Sequence, residues 1–373
     1  MKNTGTRRLT LFALTLGVAV AISGCKKKDD DKAPKKGKAK PAIPKVPKRK
    51  IVGPKPGSLP KFPDLKVPAD NPQTPEKIKL GHQLFFDKRL SVDGSRSCYS
   101  CHQNENGNGG ADALAIGAKE KQLTRHSPVI WNIAYFSKFY WDGRSGSMEG
   151  QVKGAWGGGN MGVGKANLAK KAAEIAKIKG YKEQFAKVFP KRGVTPDTIA
   201  MAIASYERTL ICKDTAYDKY AAGDEKALTD EQKIGLGLVL GKAQCTSCHA
   251  PPLFSNAMNN ADGVYFNTGI GTKGVAEDKV DVGRMKISKK KEDWAAFKIP
   301  SLRNASKSGP YFHDGSVKTL AEAVKIMASG GYANKNRSPL MADRKLSADE
   351  LKAIVAFLGA LDCNKTIATP KLP

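Results

Sequence analysis

The sequence predicts an all-α protein whose second half repeats the plan of its first, and three observations carry that prediction. Apolar residues recur at helical spacing behind capping residues, few stretches alternate with the period of two that a strand requires, and one pentapeptide pattern occurs twice, at Cys98 and Cys245. Each element can be justified in chain order.

Lys2, Arg7 and Arg8 precede an apolar run from Leu9 to Ile22, shorter than the roughly 20 residues a membrane span needs. Ile22-Ser23-Gly24-Cys25 then has the small-residue pattern at which bacterial lipoprotein precursors are cut and lipidated. Residues 1–24 therefore read as a removed signal peptide and Cys25 as the lipidated N-terminus. That places the body on the periplasmic side of a bacterial membrane, held by its lipid. An uncleaved anchor would also leave the bulk outside the cytoplasm.

Residues 26–66 hold 15 Lys/Arg against 4 Asp, with many prolines and no apolar periodicity. Such a stretch cannot bury a core, so 25–66 reads as a disordered, extended tether. It carries +11 of the formal charge of +28, and residues 67–373 keep +14 after the signal peptide leaves. Charge concentrated in a tether argues against a nucleic-acid partner. The basic body suits anionic lipid headgroups or an acidic electron-transfer partner, by steering their encounter.

Beyond the tether, Pro75-Glu76 opens a helix through Leu80, Leu84 and Phe85 that ends over residues 86–90. Residues 104–117 are Gly- and Asn-rich and read as a loop, residues 125–141 are aromatic and irregular, and Gly157-Gly158-Gly159 marks another loop. Ile199, Ile203, Tyr206 and Leu210 then recur at helical spacing behind Pro196 and Asp197. Three further helices start at Thr229 with Gln232, Thr319 with Glu322, and Ser347 with Glu350, each pair a capping-box signature. A division near residue 215 gives an N-terminal unit, 67–215, and a C-terminal unit, 216–373.

The repeated pentapeptide supplies the chemistry. Cys98-Tyr99-Ser100-Cys101-His102 and Cys245-Thr246-Ser247-Cys248-His249 both have the form Cys-x-x-Cys-His, the attachment signal for c-type haem. Two thiols three residues apart can reach the vinyl groups on one porphyrin edge, and the next imidazole then points at the iron. A zinc ribbon would need its two Cys pairs about 15 to 20 residues apart, and a thioredoxin-like site would need a βαβ context; neither is present. The expectation is two covalently bound haem c groups in two cytochrome-c-like units. Cys212 and Cys363 remain, and in an oxidising compartment they either bridge or stay as two buried thiols.

His102 and His249 each fill one axial position, and the ligand opposite decides between electron carriage and chemistry on oxygen species. For the second haem Met327 is favoured, because a thioether gives the Met/His pair that raises potential. Met327 also falls on an apolar stripe with Leu320 and Val324, so a core role stays open, and Met258 and Met285 are rival thioethers. Three histidines are left: His82 reads as a helix-surface residue, and His126 and His313 lie near the matching segments described next. Arg144, Arg284 and Arg303 are candidate partners for haem carboxylates.

Leu80-Gly81-His82-Gln83-Leu84-Phe85-Phe86-Asp87, Trp141-Asp142-Gly143-Arg144, Tyr206-Glu207-Arg208-Thr209-Leu210, Phe297-Lys298-Ile299-Pro300-Ser301-Leu302-Arg303-Asn304 and Pro310-Tyr311-Phe312-His313-Asp314-Gly315 occur in this order around the two motifs. Through them the chain from about Pro75 to Leu361 resembles the bacterial di-haem cytochrome c peroxidases and their MauG-type relatives. The resemblance implies a low-potential haem on Cys98, Cys101 and His102 where hydrogen peroxide is cleaved. It implies a high-potential haem on Cys245, Cys248 and His249, with Met327 as the other axial ligand. Trp141 would relay electrons between the haems, Gln151 would lie near the peroxidatic pocket, and the carbonyls of Ser308 and Pro310 would help hold a calcium ion. Electrons would arrive from a small cytochrome c or a cupredoxin; whether two copies pair as a homodimer is left open.

Three positions depart from the family pattern. Ala118 stands where many members carry a histidine that caps the first iron, Asn160 and Met161 stand where a pocket glutamate is expected, and His126 replaces an asparagine that helps bind calcium. Glu149 is the nearest carboxylate, at the wrong offset from Trp141. The expectation is a peroxide-reducing di-haem oxidoreductase, with a MauG-like oxidase of a protein or small molecule, or a non-catalytic electron-transfer or redox-sensing cytochrome, as alternatives.

Overall fold

The computed structural model of the chain describes residues 53–373; the signal peptide, Cys25 and most of the basic tether lie outside the described residues. Within them the α-helices are α1 Pro75–Phe86, α2 Met148–Gly157, α3 Leu168–Ala176, α4 Lys179–Val188, α5 Pro196–Glu207, α6 Ala216–Ala221, α7 Asp230–Leu240, α8 Met285–Ser288, α9 Leu320–Ala328 and α10 Ala348–Gly359. A single antiparallel pair, β1 Tyr265–Phe266 and β2 Phe297–Lys298, joins Tyr265 to Lys298 and Phe266 to Phe297. No helix among them is long and apolar enough to cross a membrane.

Two helix crossings organise this unit. α1 starts at Thr74, whose side chain accepts from the Lys77 N–H, and α5 starts at a reciprocal Thr195/Thr198 cap; each has Pro in its first turn, where a missing N–H costs nothing. The two helices meet at Gly81, where an added Cβ would overlap the Ala202 carbonyl and press on Tyr206. Only glycine lets the backbones approach this closely. Leu80, Leu84, Phe85, Ile199 and Ile203 close around the crossing, and each contributes roughly 1.5–3 kcal/mol by leaving water.

α7 and α10 repeat the arrangement. Both begin with complete capping boxes, Thr229/Gln232 and Ser347/Glu350. Gly235 sits against the Ala353 carbonyl, and Phe357 takes the place of Tyr206. Leu236, Val239, Ile354 and Leu358 form the second core, with Tyr217 and Phe254. Thr319 caps α9 by accepting from the Glu322 N–H.

Several sequence expectations shift. The stretch between 104 and 195, which lacks clear signals, contains α2, α3 and α4. In α2 the buried residues Met148, Val152 and Trp156 do recur every four residues, but Gly150, Gly154 and Gly157 weaken the pattern. α5 ends at Glu207, so Leu210 is buried beyond the helix rather than in it.

The tether expectation over 25–66 does not hold for its last part. Tyr220 donates from its hydroxyl to the Pro54 carbonyl (2.8 Å), Tyr135 to that of Pro63 (3.0 Å), and Phe62 packs edge-on against Tyr135 and under the Arg303 guanidinium. Sparse apolar residues, Leu59, Phe62 and Leu65, dock where composition suggested none would. Nor do residues 363–373 stay with the second unit. They return to the first core, where Ile367 is buried and Gln83 donates to the Lys371 carbonyl (2.8 Å). Cys212 and Cys363 form a disulfide, with Cα atoms 5.7 Å apart, that anchors this return.

Candidate functional site

Each Cys-x-x-Cys-His motif contains a single 3₁₀ turn, Tyr99–Cys101 in the first and Cys245–Ser247 in the second. His102 Nδ1 lies 3.3 Å from the Asn108 carbonyl and His249 Nδ1 lies 3.0 Å from that of Phe254. A carbonyl only accepts, so both rings carry their proton on Nδ1 and leave the Nε2 lone pair free, the state a haem iron requires. Burial pushes both imidazoles down to about 4, which keeps them neutral. The four motif thiols are free, and burial raises all of them, Cys245 to about 11. Such thiols are poor nucleophilic thiolates.

The second motif opens onto a cavity of about 320 Å³. Cys245, Cys248 and His249 line it together with Met327, so two thiols, one imidazole and one thioether share one largely apolar space. These donors fit a covalently held, Met/His-ligated haem. Of the rival thioethers, Met258 is buried with Tyr135 and Leu253, and Met285 packs against Val280 and Trp294; neither lines the cavity. Met341, which sequence reasoning passed over, does.

At the first motif the Cys101 thiol sits 3.8 Å from the Ile116 carbonyl, and the adjoining Ala118 N–H donates to the Asn160 carbonyl (2.9 Å). The two family departures, Ala118 and Asn160, are thus neighbours, and both Ala118 and Met161 are buried. Neither the Ala118 nor the Asn160 side chain can ligate a ferric iron strongly, and none of the three can exchange a proton near neutral pH. Glu149 is engaged elsewhere, accepting from Arg208 and Asn71 at 2.7 Å each. Glu207 is the carboxylate sequence reasoning missed. It is buried with Oε2 unpartnered, and burial pushes it up to about 8.

Trp141 lies on the wall of the same cavity. Its Nε1 donates to the His126 carbonyl (2.8 Å), its own carbonyl accepts from the Lys298 N–H (2.7 Å), and its ring meets His313 edge-on at 6.4 Å. His313 in turn stacks on Phe297 at 3.6 Å, and burial pushes it down to about 4. Gln151, on α2, accepts a hydrogen bond at its backbone carbonyl from the Tyr140 hydroxyl (2.8 Å) and does not line this cavity. Ser308 and Pro310 reach the cavity wall, while His126 uses Nδ1 on the Asp112 carbonyl (2.9 Å). An imidazole is a poor donor for a hard cation, so this set does not fit calcium well.

The arginines expected to hold haem carboxylates are committed to the protein. Arg303, fully buried, makes a two-pronged pair with Asp218 (2.7 and 2.8 Å). Arg144 pairs with Asp142 and stacks on Tyr140 at 3.4 Å, and Arg284 donates to the carbonyls of Asp142 and Gly143. His82 is no bare surface residue either: it stacks on Tyr206 at 4.5 Å and contacts the Ala368 carbonyl at 2.6 Å.

A helical unit with two such motifs, each under a glycine-mediated helix crossing, defines a two-centre redox protein. Comparison with known proteins agrees. The family model for the di-haem cytochrome c peroxidases matches residues 75–226. The chain is 34% identical to cytochrome-c peroxidase IdrP1 of Pseudomonas sp. strain SCT, over 84% of this chain and 88% of that one. It is 31% identical to the methylamine utilization protein MauG of Methylophilus methylotrophus, over 84% and 91%. Among solved structures, a MauG-like protein associated with microbial copper homeostasis superposes with a TM-score of 0.76 at 31% identity, covering 84% of this chain and 97% of its own. The chain belongs to the di-haem cytochrome c peroxidase and MauG family, and is an oxidoreductase of that family with two haem cofactors.

Proposed function

We propose that this chain reduces hydrogen peroxide to water with two electrons delivered by a small cytochrome c or cupredoxin, from a lipid-anchored position on the periplasmic side of the membrane. Cys98 and Cys101 would hold one haem c, and Cys245 and Cys248 the other, through thioether bonds. When bound, a haem with one open axial position supplies peroxide reduction, and a haem with a Met/His pair supplies a reservoir electron at raised potential. His102 and His249 would offer Nε2 to the irons, Met327 would supply a thioether to the second, and Ala118 would supply no ligand to the first. Trp141, held at both its indole N–H and its carbonyl, would relay electrons between the two. Gln151 is proposed to orient peroxide at the first site.

The observation that supports this most is the shared cavity, which gathers Cys245, Cys248, His249, Met327 and Trp141 from distant parts of the chain. A second reading, a MauG-like oxidase that withdraws electrons through Trp141, draws on Asn160, which offers no acid–base group where peroxide protons must be handled. Stopped-flow mixing of the half-reduced protein with hydrogen peroxide separates them. Rapid oxidation followed by turnover with a reduced donor cytochrome is expected. Oxidation without donor turnover would favour the MauG-like reading, and an inert first haem would exclude both.

A further inference from the structure

Lys298 lies on β2, and its side chain is more than nine-tenths buried (8% exposed) on the wall of the cavity that holds the second motif. Among the described residues its ammonium forms no ion pair or hydrogen bond. Its one polar contact is the face of Phe136, 3.5 Å from the ring centroid. A buried ammonium without an anion is costly, by several kcal/mol as an order of magnitude. Burial accordingly pushes Lys298 down to about 7.

The cavity is built the same way. Lys138, Lys298 and Arg344 line it, and among the described residues no Asp or Glu does. Arg344 is already donating to the Leu340 carbonyl (2.6 Å). The arginines that might otherwise neutralise an anion here are spent on Asp218, Asp142 and backbone carbonyls. A largely apolar space with three cations and, among the described residues, no acid on its wall lacks a negative group, and Lys298 is its buried, uncompensated pole.

We propose that Lys298 is the partner of a haem carboxylate at the second centre, and that this pair raises the haem's potential while fastening it beside Trp141. The inference rests on the function proposed above, because it needs a haem on Cys245 and Cys248. Its logic is electrostatic. A cation beside the porphyrin offsets carboxylate charge that would otherwise disfavour adding an electron to the iron. The Lys298 N–H also holds the Trp141 carbonyl, so one residue links the haem periphery to the relay.

Lys298→Met in the haem-loaded full chain tests this, since an apolar side chain of similar length removes the ammonium and still fills its space. Spectroelectrochemical titration is expected to show the second haem's reduction equilibrium weakened about tenfold, about 59 mV for one electron, with the first haem moving less. Unchanged potential with both haems present overturns the pairing. A potential that moves with added acetate in the wild type, but not in the variant, assigns Lys298 to a diffusible carboxylate and overturns it as well. Haem counting by alkaline pyridine absorbance separates the two levels: a wild-type chain with one haem overturns the proposed function itself. Where Lys298→Met fails to mature, Lys298→Arg decides. Its carboxylate-bending resonance Raman band is expected to shift as a guanidinium replaces the ammonium, and an unmoved band overturns the pairing.

Discussion

The two motif-bearing halves share a scaffold and differ in what they place around it. Gly81, Ala202 and Tyr206 in the first half correspond to Gly235, Ala353 and Phe357 in the second, through the same close helix crossing. One position after the aromatic residue, the first half has Glu207 and the second has Leu358, and both are buried. The second centre opens onto an apolar cavity with two methionines. The first is walled by Ala118 and Asn160 and has a buried acid nearby, whose charge is the second influence, after burial, raising the Cys98 thiol. The crossing thus serves as a shared support, and in the function proposed above small changes on its inner faces would separate a saturated electron store from a reactive site.

The sharpest test of that contrast is axial ligation. Met327→Leu is expected to convert the second iron from low-spin to high-spin in the oxidised protein, while Met341→Leu leaves it low-spin; electron paramagnetic resonance reads both. The reverse outcome would move the ligand to Met341, and no change in either variant would remove the asymmetry between the centres.

Equivalence of the crossings is tested by adding one methyl group to each. Gly81→Ala and Gly235→Ala would drive a Cβ into a facing backbone carbonyl, and each is expected to cost about 3 kcal/mol. Denaturant unfolding measures this. A loss at only one of the two glycines would break the structural correspondence.

The smallest effect concerns Glu207. Its folded value of about 8 lies above the ordinary 4.5, so between those values the folded protein holds a proton that the unfolded chain releases. The contribution is fully present below pH 4.5 and is lost as pH rises through 8. Glu207→Gln should flatten this fall in stability between pH 5 and 8 by roughly 2 kcal/mol, whereas Leu358→Ala, which removes no titrating group, should lower stability at every pH alike. Equal pH slopes in Glu207→Gln and wild type would show that the acid titrates alike in the folded and the unfolded chain.

Much of this was readable in one dimension. Capping residues announce helices locally, because an N-cap bonds to an N–H two or three residues away, and the starts at Thr229, Thr319 and Ser347 follow from that. Cys-x-x-Cys-His is likewise local chemistry, complete within five residues. α2 escaped because its glycines mask a regular stripe. The docking of Leu59, Phe62 and Leu65 escaped because a few apolar residues in a Lys/Pro-rich stretch reveal nothing about the surface awaiting them.

The pentapeptides, the helix starts and the family membership are written in short-range order, where neighbouring residues alone set the outcome. Which cations are already paired is a different kind of fact. Arg303 meets Asp218 across 85 residues, Lys298 meets no anion among the described residues, and Met341 joins Met327 on one cavity wall while Met258 and Met285 do not. Charge compensation and burial depend on what packs against a side chain from remote parts of the chain, so only the folded arrangement decided them.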